Sequence, residues 1–95
     1  MNQRAIEDCL DLVKIDLGIT TSAYDARLIQ TVKAAVQAIT SEGIELESTS
    51  VGDIQLVTMY ATWLWNKRRT GEGMPRMIRY ALNNKLFGRK GENNG

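Results

Sequence analysis

The chain has 95 residues, with 12 Lys/Arg against 11 Asp/Glu, one cysteine and no histidine. That length builds one small domain with a single core, and a net charge of +1 is far from the strongly basic balance of a protein whose main task is gripping phosphates. A lone cysteine, Cys9, closes no internal disulfide and suits a reducing setting, and without histidine both general acid-base chemistry and metal binding lose their commonest side chain.

At the N-terminus, Ile6, Cys9, Leu10, Val13 and Leu17 recur at three- and four-residue steps, with Glu7, Asp8, Asp11 and Lys14 on the other face. This spacing predicts a short amphipathic helix that Gly18 stops. The same stretch is dotted with acids and lacks the apolar centre of a leader, so no signal peptide is expected. Ser22 followed by Asp25 reads as a weak variant of the capping box, opening a second helix whose stripe is Leu28, Ile29, Val32, Ala35, Val36 and Ile39 and which ends at Gly43.

Residues 44–50, "IELESTS", alternate apolar and acidic side chains and are read as a loop with too little apolar surface to order itself before assembly. Ser50 caps a third helix, with Asp53 at the capping-box position, that runs to about Arg69 before Gly71 and Gly73. Its polar residues Gln55, Thr58, Thr62, Asn66 and Arg69 form one narrow stripe, and nearly everything else is apolar. A helix apolar around most of its circumference has to be buried on several sides, and three other short helices are expected to cover it incompletely. Pro75 suits the first turn of a fourth helix, with Met77, Ile78, Ala81, Leu82 and Leu86 facing inward and Gly88 as its end. The result is an all-α bundle of four helices with a long connection between the second and third: one domain over 1–87 and a flexible polar tail over 88–95. The uncharged run Ile54–Asn66 is too short and too polar to cross a bilayer.

Catalytic signatures are missing. Gly71 and Gly73 are followed by Met74-Pro75 rather than the Gly-Lys-Ser/Thr of a phosphate loop. The acid pairs Asp8/Asp11 and Glu45/Glu47 sit where a solvated helix face and a solvated loop put them, and Cys9 lies on an apolar stripe as a small core residue. The chain is read as a non-enzyme without a cofactor. Charge is unevenly placed, however: residues 1–50 hold four Lys/Arg and eight Asp/Glu, residues 51–95 eight and three. Lys67, Arg68, Arg69, Arg76 and Arg79 straddle a short turn between two helices, the layout of a helix-turn-helix with a cationic recognition helix. A DNA-binding regulator is therefore one reading. Cations at a helix C-terminus are equally accounted for by the helix dipole, which leaves a joint between protein subunits, or a monomeric helical interaction module, as the others.

The stretches "RLIQTVKAAVQAI" and "DIQLVTMYATWLWNKRRTGEGMPRMIRYALNNKL" resemble the head-tail connector, or adaptor, proteins of tailed bacteriophages and prophages. The resemblance covers roughly residues 4–87 and is carried by Asp25 leading the second helix, the Ala34-Ala35 pair, the Tyr60–Leu64 run, the basic residues Lys67 to Arg69 and the Met74-Pro75 break. The first helix, "IEDCLDLVKIDLGI", departs from the family's opening. The resemblance implies a virion protein at the head-tail interface, assembled in the bacterial host cytoplasm. It also implies a dodecameric ring beneath the portal protein that extends the DNA channel without sequence-specific binding and docks the next head-completion or tail-side protein. A ring joins unlike faces, which an acidic half and a basic half suit. Tyr60, Trp63, Trp65, Arg68, Arg69, Arg76 and Arg79 are then the expected joint residues, with Asp8 and Asp11 facing them, and one tryptophan inside the subunit and one near the joint. Ile44, Glu45, Leu46, Glu47, Arg89 and Lys90 are the expected docking residues toward the portal or tail.

Overall fold

The computed structural model describes the backbone of residues 1–94 and the side chains of residues 1–88. It contains four helices: α1 (Gln3–Leu17), α2 (Asp25–Ser41), α3 (Val51–Thr70) and α4 (Arg76–Asn94). The all-α bundle expected from the periodicities is the one observed, and residues 42–50 form the α2–α3 connection with no strand in it.

Local chemistry sets most of the boundaries. The Asn2 side chain caps α1 by accepting from the Ala5 N–H at 2.9 Å, and Gly18 ends the helix at φ 71°, the left-handed conformation that glycine adopts without steric penalty. Gly71 closes α3 in the same way. Ser50 caps α3 as expected, its hydroxyl accepting from the Asp53 N–H at 3.2 Å. The capping box expected at Ser22 does not form. Tyr24 occupies the cap position without a side-chain bond, and the Asp25 carboxylate turns back to Lys14 at 2.8 Å, because a cation on the preceding helix is a stronger partner than a backbone amide. Gly88 does not end α4, which continues through it to Asn94; a glycine in a helix interior costs only about 1 kcal/mol. The tail expected over 88–95 lies almost wholly outside the described side chains.

α3 is the central element, packed against α1, α2 and α4 at once. Its buried residues Leu56, Val57, Tyr60 and Ala61 meet Cys9 and Val13 of α1, Leu28, Val32, Ala35 and Ile39 of α2, and Ile78 and Leu82 of α4 in one core. The polar stripe read from the sequence is partly interior: Thr58 is buried, and its hydroxyl donates to the Ile54 carbonyl at 2.8 Å, so it needs no other element to satisfy it. The three neighbours cover α3 incompletely, as expected, leaving Ile54, Met59, Trp63, Leu64 and Trp65 only partly buried. On α4, Ile78 and Leu82 face inward as expected, but Met77 is 70% exposed, because it sits about 100° around the helix from Ile78.

The α2–α3 connection is held rather than loose. Ile44 is a core residue at 3% exposure and Leu46 packs against the same cluster. The Glu47 N–H donates to the Asp53 carboxylate at 2.8 Å, and the Ser48 hydroxyl accepts from the Asn2 N–H at 2.8 Å. The two aliphatic side chains of "IELESTS" therefore fix the segment inside the free subunit, contrary to the disorder expected of it.

Candidate interaction surfaces

α4 touches the bundle chiefly through α3, and two ion pairs tie it further, one to the end of α2 and one to α3. Arg79 makes a bidentate pair with Glu42 at the end of α2, both N–H···O distances being 2.8 Å, with both side chains partly exposed. Lys85 reaches the buried Asp53 at 2.6 Å. Asp53 thus serves three elements at once: it opens α3, receives the loop amide of Glu47 and anchors α4. From the sequence it was legible only as a cap, since nothing in its spacing points to Lys85.

The Arg79 guanidinium holds the Glu42 carboxyl below its ordinary range, chiefly by hydrogen bonding to it. A carboxyl lowered on folding stabilises the fold above its unfolded pKa, and that contribution is lost as pH falls through the folded value. Melting temperature is therefore expected to fall below about pH 4.5, and Glu42→Gln should flatten part of that limb while costing at neutral pH only the 0.2–1 kcal/mol or so of a partly exposed pair. Melting curves of both proteins from pH 7 to pH 3 check this; equal slopes for the two would sink it.

The residues expected at a subunit joint separate into two sets. Tyr60 is buried, with the Trp63 ring edge-on to it at 5.4 Å, and burial pushes its phenol pKa up; it is a core residue. Arg79 is spent on Glu42. The two tryptophans do not divide into one inside and one outside: both are half-buried, because an i, i+2 pair lies about 200° apart and here falls on the two opposite margins of the α3 core face. Trp63 donates from Nε1 to the Glu72 carbonyl at 3.3 Å, with Lys67 Nζ 4.7 Å from its ring centre. Trp65 meets the edge of Tyr24 at 6.1 Å, with the Arg68 guanidinium 5.2 Å from its ring. Arg68, Arg69 and Arg76 are exposed, as are Asp8 and Asp11.

These exposed groups define two grooves of unlike character. At the C-terminal end of α3, Leu17, Ile19, Tyr24 and Trp65 form an apolar floor ringed by Arg27, Arg68 and Arg69. Between α1 and the start of α3, Leu12, Val51 and Ile54 form a second floor, bordered by Asp8, Asp11 and Gln55. The docking residues fare unequally. Ile44 is withdrawn into the core, Leu46 is half-buried, and Glu45 and Glu47 are exposed, while Arg89 and Lys90 lie outside the described side chains. Among the described residues, no group of His, Cys, Asp and Glu is arranged to hold a metal ion, and no helix is long and apolar enough to cross a membrane.

For a cationic recognition helix, α4 is poorly equipped in its described part. Arg79 and Lys85 are both neutralised within the chain, which leaves Arg76. Comparison of the chain with protein-family models, with curated proteins and with solved structures found no match.

Proposed function

We propose that the chain is a structural subunit of a phage head-tail connector: a ring beneath the portal that extends the DNA channel and presents a docking face to the next head-completion or tail-side protein. What supports this, beside the sequence resemblance, is one observation: a cation-ringed groove at the C-terminal end of α3 and an acid-bordered apolar groove at its N-terminal end are separate surfaces of the same subunit. Separate surfaces of opposite sign favour head-to-tail contact and disfavour like-to-like contact, and repeated head-to-tail contacts close into rings. Small, wet joints of this kind are weak alone and become adequate when a template holds the neighbours in register.

The test is the mass of the purified chain, alone and with a portal ring. Alone it is expected to be monomeric or weakly associating; with the portal it should form a closed ring. Reversing Arg68 and Arg69 to glutamate should reduce ring formation while leaving helical content and melting temperature nearly unchanged, since exposed charges contribute about 0–1 kcal/mol to folding. A duplex-binding regulator gives the opposite pattern for the same variant: unchanged mass, lost DNA retention and a shallower salt slope.

A further inference from the structure

The outer face of α4 has no role in the subunit's own packing. Met77 is 70%, Tyr80 60% and Phe87 61% exposed, and with Arg76 they fall within an arc of roughly 100° on the helix, on the side away from Ile78 and Leu82. Scattered apolar side chains on a surface need no explanation, but three large ones aligned on one helix face mark a contact site.

We infer that this face seats in the acid-bordered groove of a second copy of the chain. The groove, about 460 Å³ in volume, has room for side chains but not for a whole helix, so it takes projecting residues such as Met77 and Tyr80. Its floor of Leu12, Val51 and Ile54 is apolar, and exposed Ile15 extends α1's contribution by one turn on the Asp8/Asp11 face. Asp8 and Asp11 on the border meet Arg76, which makes no ion pair among the described residues, whereas Arg79 and Lys85 already have carboxylate partners. A symmetric α4–α4 pairing centred on Met77 and Tyr80 would cover the same apolar side chains but leave Arg76 without an acid, because residues 76–88 carry none. The inference rests on copies joining by unlike faces, as the connector function requires, and goes further in naming the α4 face, rather than the Arg68/Arg69 groove, as what enters the acid-bordered groove; Arg68 and Arg69 then act on ring formation through the overall attraction of cationic for acidic surfaces.

Two full-length variants separate the halves of the contact. Met77→Glu/Tyr80→Glu spoils the α4 face, and Asp11→Arg/Val51→Arg spoils the groove; all four positions are exposed, so circular dichroism and melting should match the unchanged chain. Sedimentation at high concentration is expected to show association of the unchanged chain and a weakening of about tenfold or more for each variant alone. An equimolar mixture of the two should recover one good contact and stop at a dimer. A mixture that stays monomeric, a groove variant that associates like the unchanged chain, or an unchanged chain that never associates would each overturn the pairing. Variants that still join a portal ring normally would sink the pairing and leave the connector function standing. Self-association by this route with no response to a portal would do the reverse.

Discussion

Replacing Asp53 by alanine is expected to lower the unfolding free energy by about 2–3 kcal/mol, the cost of removing a buried carboxylate that is the shared partner of a part-buried amide and a partly exposed lysine. The carboxylate is almost fully buried, accepts the Glu47 N–H at 2.8 Å and pairs with Lys85 at 2.6 Å. Its loss leaves the loop amide without its acceptor and frees the far part of α4. The lower end of the range for buried pairs applies because Lys85, left partly exposed, can turn to water. Asp53→Asn keeps an acceptor for the amide and loses only the charge, so it should fall between the two. Urea denaturation of the three proteins measures this. A loss below about 0.5 kcal/mol for the alanine variant, the scatter of ordinary surface substitutions, would mean that the loop and α4 are secured elsewhere.

Leu82→Ala should cost about 2–5 kcal/mol, the range for truncating a buried leucine to leave a cavity. Among the described side chains of α4, Leu82 is fully buried and Ile78 nearly so, and α4 packs chiefly on α3. The damage should therefore be local first: amide exchange should accelerate along α4 well before it does in α1–α3, which keep Leu28, Val32, Ile39 and Val57 packed. Elements with few buried apolar contacts open with less free energy than the global fold. Uniform acceleration across all four helices would instead show that α4 and the remainder unfold as one unit.

Helix identity was legible because the stripes repeat at helical spacing and the first three helices stop at or beside a glycine; Gly18 and Gly71 took the left-handed conformation that such stops require, whereas α4 runs on through Gly88. What the sequence left hidden was pairing between elements. Lys14–Asp25, Glu42–Arg79 and Asp53–Lys85 join residues whose proximity depends on how the helices cross, and no local periodicity encodes that. The same blindness explains the joint residues. Tyr60, Trp63 and Trp65 share one helix and look alike in sequence, but Tyr60 falls on the core side and the two indoles on its margins. For the loop, Ile44 and Leu46 were the available signal, and their burial outweighed the polar residues around them.

Cys9 gives the fold a built-in chemical clock. Its side chain is fully buried among α1–α3, its thiol points at the Ile54 carbonyl 3.8 Å away, and burial pushes its pKa up, so thiolate and access are both withheld in the native state. Only the thiolate attacks a disulfide reagent, and here it forms when the three-helix core parts. Labelling rate divided by that of an unfolded peptide thus reads the population of core-open molecules directly, with no engineered probe. Because Cys9 lies on α1 while α4 packs chiefly on α3, release of α4 alone is expected to leave the clock nearly silent, and a ring that clamps the subunit would slow it.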